Sequence, residues 1–249
     1  MLKRERQTFI LHQVNLHNKV LSSALSAEMN VSEDTIRRDL QELADEGRLI
    51  KVHGGALSCS FQNTLAPGEE VYEIASKRHI AQKTVSLVQD GMFVLTTGGT
   101  TLLEFARALP PGLRATFISG SVPAVMEYMK HPGLEVMMIG DRVNAQSRLT
   151  VGGDAIRQIR QFRADLCILG INAIDAKAGI TDNDWEVVQI KRAMIESAKK
   201  LVCVSIREKM NTVQPIQICG PECIDVLVTE EDSANPCFKE YKEAGIRIL

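Results

Sequence analysis

Two short stretches of the sequence hold residue types whose spacing could do chemistry. The first is Leu95-Thr-Thr-Gly-Gly-Thr-Thr-Leu102, which closes an apolar run and opens a helical one. A glycine-rich turn between strand and helix leaves backbone N–H groups facing outward at the positive helix end, where an anion is favoured. Thr97, Gly98, Gly99, Thr100 and Thr101 are the candidate contacts. The stretch lacks the Gly-Lys-Ser/Thr ending of a P-loop and the Gly-x-Gly-x-x-Gly spacing of a dinucleotide fold. A plain strand-to-helix turn is the alternative. The second stretch is Ser32-Glu-Asp-Thr-Ile-Arg-Arg38, with Gln41 one turn further along. With Ile36, Leu40 and Leu43 turned inward at about 100° per residue, Arg38, Gln41 and Asp34 lie on the far face, and Thr35 and Arg37 on its flanks. Arginine can bond guanine bidentately, and Ser32 or Thr35 can bond phosphate or base edges, so this face suits a major groove. Lys51 and His53, beyond the helix, could reach the flanking DNA backbone. The competing reading is a solvated helix whose charges balance, since Glu33, Asp34, Asp39 and Glu42 share it.

Further candidates could join the glycine-rich turn at the carboxyl ends of strands, where open α/β sheets bind ligands. They are Ser119-Gly120, the Val151-Gly-Gly-Asp154 segment with Gly152, and Gly179–Lys191 with Asn183, Glu186 and Lys191. Lys209 lies beyond a strand ending near Ser205. For any single lysine, surface solvation is the commoner role. Trp185, the only tryptophan, suits packing as well as a ligand platform. Cys167 and Cys203 fall inside strand-like runs, where a thiol behaves as a small hydrophobe. Cys219-Gly-Pro-Glu-Cys223 has the wrong spacing for a zinc knuckle and no nearby histidine, so neither a metal nor a cofactor is expected.

The elements that would hold these residues fall into two patterns. In residues 1–57, Leu2, Phe9, Ile10 and Val14 outline one helix, and Leu21, Leu25 and Met29 a second. Ser32 caps a third, with Glu33 and Asp34 in its first turn and Gly47 placed to end it. Arg48–His53 reads as a strand, Gly54-Gly55 as a tight turn and Ala56-Leu57 as the start of a return. Three helices and a hairpin outline a winged helix-turn-helix. Residues 58–75, with Pro67 and Gly68, read as a linker. From 76 to 249, apolar runs at Met92–Leu95, Thr116–Ile118, Leu134–Ile139, Leu166–Leu169, Leu201–Val204 and Ile224–Val228 alternate with helical stretches, notably Lys77–Val88, Leu102–Leu109 and Val187–Ala198. Short continuous apolar strands between helices argue an α/β domain with a parallel sheet covered on both faces.

Composition sets the outer bounds. The chain has 249 residues, 45% apolar and 24% charged, as in a soluble globular protein of one or two domains. No uncharged apolar run approaches the roughly 18–20 residues of a membrane span, and Met1-Leu-Lys-Arg-Glu-Arg6 does not open a signal peptide. A cytoplasmic protein without membrane contact is expected. Residues 1–57 hold eight Lys/Arg and eight Asp/Glu, so any DNA contact must rest on where individual charges point.

The segment Val31-Ser-Glu-Asp-Thr-Ile-Arg-Arg-Asp-Leu40, then Leu43, Gly47, Leu49 and Val52-His-Gly-Gly-Ala56, resembles the N-terminal domain of DeoR-family transcriptional regulators. The resemblance implies a helix-turn-helix from about Lys19 to Asp39, with Ser32, Thr35, Arg37 and Arg38 at the DNA. The remainder resembles the DeoR-type sensor domain, similar in fold to ribose-5-phosphate isomerase, through Lys77 with Ile80-Ala81, Asp90-Gly91, Gly99-Thr100-Thr101, Gly152, Gly170, Gly179, Glu186, Lys191-Arg-Ala-Met194 and Lys209. It implies a phosphorylated sugar or related metabolite bound at Gly98–Thr101. The chain departs from the family pattern at Thr97, usually acidic, at Ser119-Gly120, at Gly140-Asp141, and at Ser205-Ile-Arg-Glu-Lys-Met210.

The leading expectation is a DNA-binding regulator, a repressor, that loosens from its operator when the effector binds. Specificity would require a homo-oligomer, dimer or tetramer, on repeated half-sites. Two other readings stand beside it. One is a sugar-phosphate isomerase carrying a DNA-binding module, which would need a general base. Thr97 is a poor one, and spacing selects neither Glu104 nor Asp154. The other is a regulator whose pocket holds no ligand.

Overall fold

The computed structural model describes residues 2–17, 19–59, 71–145 and 147–249. They form two compact units, Met1–Tyr72 and Glu73–Leu249.

The first unit contains α1 (Lys3–His17), β1 (Lys19–Leu21), α2 (Ser22–Met29), α3 (Glu33–Asp45), β2 (Leu49–Val52) and β3 (Gly55–Ser58). α3 starts where Ser32, in an extended conformation, accepts a hydrogen bond from the Thr35 N–H at 3.3 Å. Ile36, Leu40 and Leu43 turn into one core with Ile10, Val14, Leu25 and Met29. Each such side chain contributes about 1.5–3 kcal/mol through burial. The turn between α2 and α3 is fixed by Asn30 in the left-handed conformation and by Ser26, whose hydroxyl donates to the Val31 carbonyl at 2.6 Å. Such a cap satisfies carbonyls at the end of α2.

Three details differ from the sequence expectation. Leu21, expected inside the second helix, is exposed and ends β1. β1 pairs antiparallel with β3, making a three-stranded wing of order β1-β3-β2. Finally, Val52 lies opposite Gly55, so the hairpin turn is His53-Gly54, one residue earlier than expected. Gly55 instead sits in β3, where a Cβ would lie 1.9 Å from the Val20 carbonyl oxygen. Ser58 closes β3, and a helix opens at Ile74. Residues 60–70 of the expected linker lie outside the described residues.

The second unit begins with α4 (Ile74–Val85), β4 (Phe93–Thr96), α5 (Thr100–Ala108), β5 (Thr116–Ser119), α6 (Val122–Tyr128) and β6 (Glu135–Met138). It continues with β7 (Arg142–Val143), β8 (Thr150–Val151), α7 (Gly153–Ile159), β9 (Leu166–Gly170), β10 (Ala173–Asp175), β11 (Gly179–Asp182) and α8 (Trp185–Glu196). It closes with β12 (Leu201–Val204), β13 (Ile216–Cys219), β14 (Val226–Val228), α9 (Lys239–Glu243) and β15 (Arg247–Ile248). Seven strands form a parallel sheet of order β15-β14-β12-β9-β4-β5-β6. This is an α/β domain, as its alternating pattern implies. Because strand side chains alternate between faces, Ile118 packs on one side with Ala155 and Ile159 of α7 and Val188 of α8. Its neighbour Phe117 meets Phe105 and Tyr128 on the other, with ring centroids 6.2 and 4.5 Å away.

The chain fills the sheet outward from β4 through β5 to β6, then returns to the opposite flank of β4 with β9. This reversal opens a crevice at the carboxyl ends of β4 and β9, the usual ligand position in such sheets. A separate antiparallel sheet, β10-β11-β13, lies beyond the sequence expectation, and so does β15. The apolar run Leu134–Ile139 proves to be an edge strand, with Met137 and Met138 exposed and not covered on both faces.

Gly55→Ala should destabilise the N-terminal unit by about 3 kcal/mol, since the clash is with backbone and not with a side chain that can turn away. Calorimetry should show one transition lowered and the transition of the C-terminal unit unmoved.

Candidate functional site

In the N-terminal unit, the acidic residues of α3 are sorted by face. Asp39 is buried and accepts two hydrogen bonds from the Arg6 guanidinium of α1, the second at 3.2 Å. That bonding raises the Arg6 pKa. Glu42 turns to Lys3 at 2.7 Å and to Gln7. The Lys3 hydrogen bond holds its carboxyl below the ordinary range. The competing reading, in which Asp39 and Glu42 offset the arginines on one solvated face, does not hold for these two acids: both join α3 to α1. What remains outward is Arg38, exposed and without a partner among the described residues, beside a set of loosely held groups. Arg37 pairs with Glu33 at 3.1 Å and Asp34 at 3.3 Å, all exposed. Gln41 accepts from Lys51 at 2.9 Å and donates to Asp45 at 2.7 Å. The Ser32 and Thr35 hydroxyls share one hydrogen bond at 2.9 Å. His53 is exposed at the hairpin tip. Surface pairs of this kind are worth about 0–1 kcal/mol, so a phosphate or base edge can displace them.

In the C-terminal unit, the glycine-rich turn stands at the β4–β9 crevice. Gly99, with φ +112, precedes α5, whose first-turn amides at Thr100 and Thr101 have no carbonyl partner among the described residues. Gly170, at the end of β9, packs so closely on the turn that a Cβ there would lie 2.9 Å from the Gly98 carbonyl oxygen. The Thr97 hydroxyl accepts from the Gly170 N–H at 3.0 Å, so this residue secures the turn to β9. The Ser119 hydroxyl is similarly committed, donating to the Thr96 carbonyl at 2.7 Å and accepting from the Ser121 N–H at 3.1 Å. Gly120 leaves room for the Thr150 hydroxyl, which is buried with no hydrogen-bond partner among the described residues.

Three lysines gather beside the turn. Lys191 of α8 is buried and donates to Asp182, itself buried, at 2.8 Å. Burial pushes the Asp182 pKa up, yet the Lys191 charge and hydrogen bond, the Asn183 N–H and the Asn172 amide bring it below the ordinary value. Lys209 donates to the Ile171 carbonyl at 3.1 Å, and loss of water together with the charges of Lys77 and Lys191 lowers its pKa to about 7. Lys77 of α4, only 5% exposed, is lowered by burial to about 8 despite Glu73, Glu104 and Glu208. Cations at the same end of the sheet as a turn of unpaired amides favour an anion there.

The structure thus brings Lys191 and Lys209 together and joins Lys209 to the Gly98–Thr101 turn through Ile171 and Gly170. It does not draw in Glu186, which pairs with exposed Arg142, or Gly152, which abuts the Asp141 carboxylate. Asn183 supports Asp182 through its backbone, and Trp185 is 61% exposed. Lys77, Asp182 and Thr150 accompany these candidates and were not among the site residues expected from sequence. A signal existed for the first: Lys77 falls on the same helical face as Ile80, Ala81 and Thr84, where a charge is out of place without a purpose.

Family models match both units: the DeoR C terminal sensor domain over residues 72–231 and the DeoR-like helix-turn-helix domain over residues 6–62. The chain belongs to the DeoR family. Relatives span nearly its whole length. It is 28% identical to the HTH-type transcriptional regulator GolR of Listeria innocua, with 100% of this chain and 98% of that protein covered. It is 31% identical to the glycerol-3-phosphate regulon repressor of Haemophilus influenzae, with 90% and 88% covered. Ribose 5 phosphate isomerase A from Neisseria gonorrhoeae matches 58% of this chain and 56% of its own, at 15% identity and a TM-score of 0.42, a level that says nothing of activity. The DeoR-family relatives are transcriptional regulators and repressors, and no helix among the described residues is long and apolar enough to cross a membrane.

Asp182→Asn leaves the Lys191 ammonium buried without its counter-charge and should cost this DeoR-type sensor unit about 3–5 kcal/mol at pH 7. Because folding lowers the Asp182 pKa, its contribution is complete above the unfolded value of about 3.9 and is lost as pH falls through the folded one. Denaturation curves should show wild type and variant far apart at neutral pH and converging only in strong acid.

Proposed function

We propose that this chain is a sequence-specific DNA-binding transcriptional regulator, a repressor, whose C-terminal unit binds a phosphorylated sugar or related metabolite and thereby weakens operator binding. On this reading Arg38 reads a base edge, and Ser32, Thr35, Arg37, Gln41, Lys51 and His53 contact base edges or backbone. The effector phosphate sits on the amides of Gly99–Thr101, within reach of Lys191 and Lys209. The observation that carries the reading is the gathering of buried Lys77 and Lys191 with half-buried Lys209, which bonds to the residue after Gly170, the glycine that packs on the turn. Lys209 stands near two other cations and bonds only a carbonyl oxygen among the described residues, which favours an anion beside it.

A non-enzymatic role is supported by the state of the carboxylates. Glu104 is held by Arg78 at 3.0 Å and Arg107 at 2.6 Å, Asp154 pairs with Arg157, and Asp182 is bound by Lys191. Each of the three is committed to a cation and poorly suited to take a proton from a substrate carbon. A single winged helix reads few bases, so the active form is a symmetric homo-oligomer on repeated half-sites. A coupling of about 1–3 kcal/mol between sensor and reader would change operator affinity roughly 5–150-fold.

The test is fluorescence anisotropy on DNA from upstream of the gene, at one salt concentration, against scrambled DNA. Arg38→Ala should cost about 1–3 kcal/mol of specific binding and relax the preference at one base position. Sugar phosphates should weaken the specific complex. Unchanged affinity and sequence preference in the variant would remove Arg38 from the interface, and wild-type binding no better than to scrambled DNA would count against the reading as a whole.

A further inference from the structure

Strand β6 ends the sheet without the devices that usually guard an edge. Its four residues, Glu135-Val-Met-Met138, include no lysine or proline, and its pairing with β5 runs without a bulge. Natural sheets blunt such edges because the outward row of N–H and C=O groups pairs readily with another strand. The opposite edge, β15, is only two residues long.

Which groups of β6 are open follows from its hydrogen bonds to β5. The Glu135 and Ile139 N–H groups donate to the Ala115 and Ser119 carbonyls, each at 3.0 Å. With a period of two, the backbone groups of Val136 and Met138 point outward. Beyond Met138 the edge is closed: the Gln158 amide accepts from the Gly140 N–H at 3.0 Å and donates to the Gly140 carbonyl at 2.9 Å. On the amino side, the Leu134 N–H is taken by the His131 carbonyl at 3.2 Å. The two open residues therefore stand on either side of Met137.

The side chains around this edge are apolar. Met137 lies opposite Ile118, on the face of α7 and α8, and Met138 lies opposite Ser119, on the face of α5 and α6. Glu127 of α6 turns to Arg107 of α5 at 3.1 Å. Met129, just past α6 and about 200° further round, therefore faces the open flank beside β6, with Met126 between them. These four methionines are 38–70% exposed. Together they show on the order of 400 Å² of apolar surface, half of the roughly 800 Å² that each partner gives a standard interface. The open backbone of β6 adds to it.

Resting on the reading that the DNA-binding form is a symmetric homo-oligomer, we propose that β6 is its interface. In this contact β6 of one protomer pairs antiparallel with β6 of a second copy, about a two-fold axis at Met137. An isologous contact requires a surface that fits its own copy. Pairing about Met137 sets Val136 opposite the partner's Met138 and Met138 opposite the partner's Val136, so each open N–H meets an open C=O. A two-fold at Val136 or at Met138 instead sets open groups against Leu134 or Gly140, whose N–H groups are already bonded. The two Met137 residues then form a non-hydrogen-bonded pair with Cα atoms about 4.5 Å apart. The methionines of each copy cover those of the other, and the two sheets become one.

The experiment uses the full-length protein. Wild type at micromolar concentration should sediment as a dimer or larger, and the double variant Met137→Lys/Met138→Lys should associate at least tenfold more weakly. Circular dichroism and an unchanged melting transition of the C-terminal unit show that the variant is folded. Under mild copper–phenanthroline oxidation, Met137→Cys should form a covalent dimer on a non-reducing gel. Val136→Cys should not, because its Cα atom and that of its copy lie about 8 Å apart, beyond the reach of a disulfide. Wild type, with six cysteines of its own, sets the background. Equal cross-linking at positions 136 and 137, or a lysine variant as associated as wild type, overturns the proposal while leaving a homo-oligomer standing. A wild type that sediments as a monomer removes both. None of these readouts involves DNA, so each is separate from whether the chain is a sequence-specific repressor.

Discussion

Like charges brought together out of water are the constraint around which the C-terminal unit is organised. Lys77, Lys191 and Lys209 arrive from a helix at the start of the unit, a helix in its middle and a loop after β12, and each loses hydration on arrival. Of the nearby acids Asp182 and Glu104 are buried with them, and both are committed, Asp182 to Lys191 and Glu104 to Arg78 and Arg107. The antiparallel sheet β10-β11-β13 acquires a purpose from this: β11 ends at Asp182 and holds it against α8. The same pressure accounts for the carbonyl of Ile171 serving as a partner to Lys209, a weak substitute for a carboxylate.

The N-terminal unit handles charge in the opposite way. Two of the acids of α3 are drawn off to its inner side, where Arg6 and Lys3 of α1 take Asp39 and Glu42. The outer side is left with Arg38 unopposed and with Arg37 in pairs that water already screens. A nearly neutral unit can therefore leave one arginine, Arg38, unpaired at its surface among the described residues, because two of the balancing acids lie on the other side of the helix. Net charge per segment carries little information in such a case; the angular position of each charge carries most of it.

How far the sequence can be read depends on which distances matter. The helices and parallel strands are legible because apolar period is a local property, and Ser32, Gly47 and the Ile36–Leu40–Leu43 stripe each announce their role within a few residues. The glycine-rich turn is legible for the same reason. By contrast, β1 is only three residues long and exists because β3 is there to pair with it. β6 reads as a buried strand because its composition is apolar, yet its exposure depends on being last in the sheet, which no local pattern encodes. The lysine group is the clearest case: its first and last members are separated by more than a hundred residues of chain, and only the return of β9 to the flank of β4 makes them neighbours.

That return also sets an order of events during synthesis. The core of the N-terminal unit, from Ile10 to Ala56, is complete before β4 has been made, so the reader can fold while the rest of the chain is still emerging. The central strand of the sensor, by contrast, is left with a bare hydrogen-bonding flank until Leu166–Gly170 arrives. Contacts this far apart in sequence form slowly, because the loop between them must first be closed. A nascent chain of this protein therefore carries a finished DNA reader ahead of an unfinished sensor. For that interval the open flank of β4 is the part most in need of protection from other unfolded chains.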